Sequence, residues 1–271
     1  MLLREVEYAR PASVADAVRL LAADDGARAL AGGQTLINVM KARAASPDVL
    51  VDLAELEDLR GIELGSDGTL ELGSMVTYTQ LMESAEARAR PILGEVSAQI
   101  ADVQVRNRGT LGGNVCSNDP TNHFPPLMVA LGASFTILGA DGERTVPAAD
   151  FFLGVYLTAV SPGELLTTIT IPSGAGAGDA FENVPIGRDG TCIVSAAATV
   201  NGSGTRVAIG CVDAVPVLVE PPAADADSVK EAVRAAQLDP PSDVHASGDY
   251  RRHLAQVLAA RAVERATKAK S

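Results

Sequence analysis

The chain contains no tryptophan, and aromatic side chains make up only 3% of its 271 residues. Proteins that stack single-stranded nucleic acid use aromatic platforms, so this scarcity disfavours such a function. Positive charge is also scarce, because 34 acidic residues outnumber 22 lysines and arginines and leave a net charge of -12. With no basic stripe to neutralise phosphates, neither nucleic acid nor an anionic membrane is expected as the main partner.

Cysteine occurs only three times, at Cys116, Cys192 and Cys211, without a CxxC pair or a close histidine. This spacing disfavours a disulfide framework, and it disfavours a zinc or iron–sulfur site built within this chain. We therefore predict no metal ligands. Cys192 and Cys211 are interpreted as core thiols, whereas Cys116 lies in a glycine-rich stretch where it is a candidate for ligand contact.

Long apolar runs are absent as well, since none approaches the roughly 20 residues that span a bilayer. The amino-terminal sequence MLLREVEYARP lacks the apolar core of a signal peptide. We therefore expect a cytoplasmic protein without a membrane span. A hydrophobic content of 47% is enough for a large core, and the length favours two or three subdomains.

Residues 106–126, RNRGTLGGNVCSNDPTNHFPP, form the most turn-rich stretch of the chain. Gly109-Thr110 and Gly112-Gly113 precede short polar side chains and prolines, a composition that disfavours helix and flat strand. Glycine brings backbone N–H groups close to a ligand, and such polar side chains suit phosphate, ribose or ring edges. We interpret the stretch as a binding loop, and a plain connection between domains is the alternative.

A second glycine pair, Gly32-Gly33, lies between an apolar run at 28–31 and a predicted helix start at 34–41. A further apolar run at 49–53 completes a unit that predicts parallel strands, with the turn at the carboxyl end of the first strand. Free N–H groups at such a turn favour a phosphate. The pattern is neither GxGxxG nor a Walker loop, so a tight turn without a ligand is the alternative.

The remaining elements follow from periodicity and turn residues. Before the linker SGAGAG we expect helices at 13–23 and 77–84, a hairpin at 62–73, a longer helix from Pro91 through Val103, and strands at 134–138 and 165–171. After it we expect antiparallel strands at 180–187, 191–200 and 206–212, a proline-rich crossing at 214–222, and helices at 226–237 and 249–268. We infer three domains, at 1–57, 58–172 and 173–271.

Only three histidines occur, His123, His245 and His253, and none lies in a nucleophile elbow. His123 is either a ligand contact or a cap for the turn at Pro125. Asp119 is either a ligand contact or an Asx-turn residue. Two glycine-rich loops with so little acid–base equipment indicate that a cofactor carries the chemistry, and no catalytic residue is predicted in the chain.

Five motifs are spread along nearly the whole chain: ALAGGQTLI at 29–37, RNRGTLGGNVCSNDP at 106–120, ADFFLG at 149–154, ELLTTITIP at 164–172 and YRRHLAQVLAARA at 250–262. Together they resemble the FAD-binding medium subunit of the molybdenum hydroxylases, a family that includes carbon monoxide dehydrogenase and xanthine dehydrogenase. The resemblance implies a mixed α/β fold of the α+β kind. It consists of a two-subdomain FAD-binding unit of the PCMH type and a small carboxyl-terminal domain with a three-stranded antiparallel sheet and helices.

The resemblance also implies where FAD is held. The residues expected to wrap its pyrophosphate are Leu30, Ala31, Gly32, Gly33, Gln34, Thr35, Leu36 and Ile37. Those expected at the diphosphate and ribityl chain are Thr110, Leu111, Gly112, Gly113 and Asn114. Ile100 is expected near the adenine and Leu166 near the flavin ring, and Asp119 and His123 are further expected contacts.

Two positions depart from the family pattern. Members often carry an aspartate at the position of His123 and a lysine at that of Asn183, so this chain lacks both charges. We expect its flavin to be less easily reduced than that of a relative with the usual pair.

The implied mechanism is an electron relay between subunits. A large molybdopterin subunit would hydroxylate substrate, and a small subunit with two [2Fe-2S] clusters would pass the electrons to FAD. FAD would then reduce NAD, oxygen or another acceptor, in a complex expected to be a dimer of heterotrimers. One alternative is a single-chain flavoenzyme related to alcohol oxidases or to enolpyruvyl-glucosamine reductase, although residues 174–271 offer few acid–base groups. A second alternative is a scaffold subunit that takes no part in catalysis.

Overall fold

The computed structural model describes residues 3–187 and 191–270. Its strands are β1 Glu7–Ala9, β2 Ala27–Leu30, β3 Val49–Asp52, β4 Ile62–Leu64, β5 Leu70–Gly73, β6 Ser134–Gly139, β7 Gly142–Pro147, β8 Phe152–Gly154, β9 Leu157–Thr158, β10 Leu165–Ile171, β11 Gly178–Ile186, β12 Thr191–Asn201, β13 Gly204–Gly210 and β14 Val217–Val219. Its helices are α1 Val14–Ala23, α2 Leu36–Lys41, α3 Tyr78–Glu83, α4 Ile92–Ala98, α5 Val103–Arg106, α6 Leu111–Ser117, α7 Phe124–Leu131, α8 Ala148–Phe151, α9 Ala226–Ala235 and α10 Gly248–Ala269. The mixed α/β class is confirmed.

The first sheet is parallel, with the order β1-β3-β2. Helix α1 packs beside it, and the Ser13 hydroxyl caps this helix by accepting the Asp16 N–H at 3.1 Å. The Asp16 carboxylate accepts from the N–H of Ala12 at 3.1 Å rather than from that of Ser13, so only one of the two hydrogen bonds of a capping box is formed. The parallel pairing places the Gly32-Gly33 turn beyond the carboxyl end of β2, as predicted.

The second sheet is antiparallel, with the order β4-β5-β10-β6-β7. Helix α7 is buried along its whole length and joins this sheet's side chains in the largest hydrophobic cluster of the described chain. Phe124 of this helix stacks on Tyr78 of α3, with ring centroids 5.7 Å apart. This core supports the segment that carries Thr110 through Asn114.

The third sheet has the order β11-β12-β13-β14 and is covered by α9 and α10. It has four strands rather than the predicted three, because Val217–Val219 pairs with β13 inside the segment interpreted as a proline-rich crossing. The prolines at the flanks of this short edge strand do not interrupt its pairing. Among the described residues, no helix is both long and apolar enough for a membrane span.

Two local predictions are wrong. The helix from Pro91 does not run through Val103, because it ends after Ala98, and Ala101 takes a left-handed φ of 40° before Asp102 caps α5. About half of residues 106–126 are helical, in α6 and in the ends of α5 and α7, rather than turns. Thr110 caps α6, and the two prolines of α7 occupy its first turn, where a missing N–H costs nothing.

Candidate functional site

The two glycine-rich segments lie directly against each other. A Cβ atom added to Gly32 would lie 1.9 Å from the carbonyl oxygen of Arg108 and 3.0 Å from Cα of Gly109. A Cβ on Gly113 would lie 3.6 Å from that of Ala31. No side chain fits between these backbones, so glycine at position 32 is required by the approach of the two segments.

The turn after β2 leaves backbone donors available. Gly33 has a left-handed φ of 72°, and its carbonyl accepts the N–H of Ile37 to open α2. The N–H groups of Gly33, Gln34 and Thr35 have no acceptor among the described residues. Unpaired donors at a helix start are suited to a phosphate oxygen. The Gln34 side chain folds back and donates to the Gly32 carbonyl at 3.2 Å.

The second segment uses its backbone donors internally. The N–H of Leu111 donates to the Val76 carbonyl and that of Gly112 to the Ser74 carbonyl, each at 2.9 Å. The N–H of Gly113 donates to the Thr110 hydroxyl at 3.0 Å. These bonds fasten α6 to the end of β5 and pair the backbone N–H groups of residues 111–113, whereas the side chain of Asn114 keeps a group available to a ligand.

Asn114 presents an unpaired acceptor. Its Nδ2 donates to the hydroxyl of Tyr78 at 2.9 Å, while its Oδ1 is buried without a hydrogen-bond partner in the part of the chain that the structure describes. Burial raises the pKa of Tyr78 well above its usual value, so the phenol stays protonated. A buried carbonyl oxygen without a donor fits a ligand hydroxyl. Tyr78 carries no signal for this role in the sequence, because the role depends on a contact 36 residues away.

Asp119 forms an Asx turn, one of the two interpretations left open by the sequence. Its Oδ1 accepts from the N–H and the hydroxyl of Thr121 at 2.9 and 2.7 Å. Its Oδ2 accepts from the Tyr156 hydroxyl at 2.9 Å, and burial followed by this contact raises the pKa of Tyr156. The carboxylate thus joins the α6–α7 connection to the β8–β9 hairpin.

His123 is 2% exposed and lies against the third sheet. Its ring stacks on Phe181 with centroids 5.2 Å apart, and its Nε2 lies 3.2 Å from Nδ2 of Asn183. The Asn183 amide also donates to Gln99 at 3.2 Å. The His123 side chain makes no capping bond to α7, and its Nδ1 is buried without a hydrogen-bond partner among residues 3–187 and 191–270. The two positions that depart from the family pattern therefore contact each other.

Ile100 and Leu166 are both core residues. Ile100 is 9% exposed at the break between α4 and α5, and its carbonyl accepts from Arg106 at 2.9 Å. Leu166 is 2% exposed and pairs with Ile137 across β10 and β6. The structure thus brings the two glycine segments together, while Asp119 and His123 make their contacts with other parts of the fold.

A family model described as the FAD binding domain in molybdopterin dehydrogenase matches residues 4–174, more than half of the chain. The chain belongs to this family. The carbon monoxide dehydrogenase medium chain of Afipia carboxidovorans is 41% identical, over 98% of this chain and 98% of that protein. The nicotine 6-hydroxylase medium subunit of Paenarthrobacter nicotinovorans is 34% identical, over 97% of this chain and 98% of that protein.

A solved structure agrees along the full length. The Cu,Mo-CO dehydrogenase in its cyanide-inactivated form contains a chain that matches with a TM-score of 0.93 at 38% identity, covering 100% of both chains. The predicted family is therefore confirmed. The chain is an FAD-binding medium subunit and the flavoprotein component of a molybdenum-containing oxidoreductase.

Proposed function

We propose that FAD binds across the two glycine segments, with its diphosphate at the N–H groups of Gly33, Gln34 and Thr35. The observation that supports this proposal is the close approach of Gly32 to Arg108. With no side chain between them, the two backbones form one narrow surface that a ligand can contact along its edge. The unpaired Oδ1 of Asn114 accepts a hydroxyl of the ribityl chain or ribose. Tyr78 holds that amide in place.

The remaining proposed contacts follow the family resemblance. They are Leu30, Ala31, Gly32, Leu36 and Ile37 in the first segment, Thr110, Leu111, Gly112 and Gly113 in the second, and Ile100, Asp119, His123 and Leu166 around them. The proposed FAD-binding subdomains are 1–57 and 58–172, and 173–271 is the proposed carboxyl-terminal domain.

Electron relay is the activity this site supports. FAD supplies the redox chemistry, and the chain's own residues bind it, orient it and exclude water around it. Two further subunits complete the proposed pathway: a large one with molybdopterin and a small one with two [2Fe-2S] clusters. The acceptor is NAD, oxygen or another oxidant, and the proposed assembly is a dimer of heterotrimers. The relatives named above act on carbon monoxide and on nicotine, and both have medium chains of nearly this length.

The test compares complexes that carry two glycine variants, purified with their partner subunits. In Gly32→Ala the new methyl group separates the two segments, whereas Gly202→Ala places its Cβ in open space. Carbon monoxide, purines, N-heterocycles and aldehydes are screened as electron donors for the unaltered complex. FAD released on denaturation and acceptor reduction are then measured.

We expect the Gly32→Ala complex to lose FAD and acceptor reduction while its iron–sulfur absorption still bleaches with donor. The Gly202→Ala complex should match the unaltered one. Acceptor reduction at the unaltered rate by an FAD-free Gly32→Ala complex would contradict the relay, and full FAD content in that variant would contradict the proposed site.

A further inference from the structure

Two buried cysteines meet between the third sheet and the α6–α7 connection. The Sγ atoms of Cys192 on β12 and Cys211, just beyond β13, lie 3.1 Å apart, and both thiols are free. Cys192 is fully buried and Cys211 is 6% exposed. A disulfide requires an S–S distance of about 2.05 Å, so roughly 1 Å of movement separates the two states.

The backbone holds the second thiol in a strained position. Cys211 has a φ of 65°, in the left-handed region that costs a residue with a side chain about 1 kcal/mol or more. Such strain persists only where the surroundings enforce it. Here Arg251, 5% exposed, donates to the carbonyls of Ile193 and Cys211 and so fastens both cysteine-bearing segments.

The surroundings of the two thiols shift their pKa values in opposite directions. The Cys211 thiol donates toward Cys192 and lowers the pKa of Cys192, whereas the pKa of Cys211 is raised by the same contact and by burial. His123 and the Ser195 hydroxyl also face Cys192, and Arg251 faces Cys211. Ser195 Oγ is buried without a hydrogen-bond partner, so it is free to donate to a thiolate.

A crevice reaches Cys211 from the α6–α7 connection. Its walls include Asp119, Pro120 and Pro126 on one side and Cys211 and Asp213 on the other. The free space is about 10 Å³, which is about the room that one water molecule needs. Cys192 is fully buried and does not line the crevice, and its Sγ lies 3.6 Å from the Thr121 carbonyl of the α6–α7 connection.

We propose that Cys192 and Cys211 form a redox site that takes a small hydroperoxide and closes reversibly to a disulfide. The Cys211 proton passes to the Cys192 thiolate, the Cys211 sulfur attacks one peroxide oxygen, the O–O bond breaks, hydroxide leaves, and Cys211 becomes a sulfenic acid. Cys192 then attacks the Cys211 sulfur, the S–O bond breaks, and water leaves with the Cys192 proton. The peroxide gains the two electrons that the sulfurs lose. Closure also removes the S–H donor that faces Thr121 in the α6–α7 connection.

The test uses the full chain with hydrogen peroxide, followed by alkylation in denaturant and digestion with trypsin. Arg206 lies between the two cysteines, so cleavage there leaves their peptides joined only when a disulfide is present. We expect a joined pair of peptides, the loss of two hydrogen masses from the intact chain, and recovery of both thiols with dithiothreitol. Cys116→Ser should behave identically, because Cys116 lies on α6 and no hydrogen bond among the described residues joins it to either sulfur of the pair.

Cys192→Ser and Cys211→Ser identify the roles of the two sulfurs. Treated Cys192→Ser should stop at an oxidised Cys211 without the two-hydrogen loss, and Cys211→Ser should keep an alkylatable Cys192. The proposal is overturned if peroxide modifies Cys116 while Cys192 and Cys211 stay alkylatable in the unaltered chain. That result needs no folded variant and does not depend on FAD binding.

Discussion

Tyr78 orients Asn114, because its hydroxyl, on a side chain that is 4% exposed, is the acceptor for the Asn114 amide. In Tyr78→Phe that buried donor loses its partner, which costs about 1–3 kcal/mol. If the loss falls on cofactor binding, the Kd for FAD rises about 5- to 150-fold. Quenching of flavin fluorescence during titration measures it, with Tyr250→Phe on the exposed face of α10 as the matched control. An unchanged Kd in Tyr78→Phe would remove Asn114 from the site.

His123 and Asn183 behave as a pair because their polar atoms lie 3.2 Å apart in a largely buried setting. His123→Asp alone buries a carboxylate without a cation, and Asn183→Lys alone adds an unpaired ammonium, so each single variant should lose stability. The double variant supplies both charges and should recover about 1 kcal/mol or more relative to the sum of the single losses. Urea unfolding of the four proteins measures this coupling.

The same double variant tests the flavin potential. A lysine near the cofactor stabilises an anionic reduced ring, so we expect its midpoint potential to rise above that of the unaltered protein. A redox titration of the FAD-loaded chain reports this shift. An unchanged midpoint potential would contradict this expectation. It would indicate that the residues at positions 123 and 183 affect each other but not the flavin ring.

Between elements, the junction of the second and third sheets depends on a buried ion pair. The Arg90 guanidinium donates to Asp179 and to the Pro172 carbonyl at 2.8 and 3.0 Å, and the two charged side chains are 3% and 8% exposed. Asp179→Asn leaves Arg90 buried without its counter-charge, which we expect to cost about 3–5 kcal/mol in urea unfolding. Glu231→Gln breaks an exposed pair and should cost no more than about 1 kcal/mol. Equal losses in the two variants would contradict this difference.

The start of α10 is pH-sensitive through Asp243. The N–H groups of His245 and Ala246, followed by Arg251, lower the pKa of Asp243 to about 2. In the unfolded chain an aspartate has a pKa of about 3.9. Since the folded pKa is the lower one, this stabilisation is complete above pH of about 4 and is lost as pH falls toward 2.

Asp243→Asn should therefore unfold at lower urea than the unaltered protein at neutral pH, and the difference should vanish by pH of about 2. Urea midpoints across that range measure it. Asp239→Asn, whose side chain is 99% exposed, is the control that should leave the pH profile unchanged. A constant difference at every pH would assign the effect to hydrogen bonding alone.

Elements with a clear local signal were predictable, and contacts between distant segments were not. The apolar runs around Gly32-Gly33 correctly predicted parallel strands with a turn at the sheet edge. The break at Ala101 was missed, since the apolar spacing continues through it while the backbone reverses. Cys192 and Cys211 were interpreted as separate core thiols, because no spacing rule links residues from two strands. The contact of His123 with Asn183 likewise depends on the packing of α7 against the third sheet.

At the scale of the whole molecule, the proposed FAD site joins the edge of the parallel sheet to a helix supported by the antiparallel sheet. The Gly32 turn extends β2, whereas α6 is fastened to Ser74 and Val76 at the end of β5. A ligand that contacts both segments therefore resists their separation. The free energy of FAD binding therefore adds to the free energy of unfolding of the two sheets together.

This linkage predicts how the melting temperature depends on FAD. At a free concentration of 100 times the Kd, a ligand that binds only the folded chain adds about 2.7 kcal/mol. For a chain of this size that corresponds to a rise of about 5–10 °C in Tm. Gly32→Ala should show almost no rise, because its Cβ would occupy the position of the Arg108 carbonyl and the two segments could not close on the cofactor. Calorimetry with and without FAD measures both proteins, and an equal rise in the two would place the cofactor away from this contact.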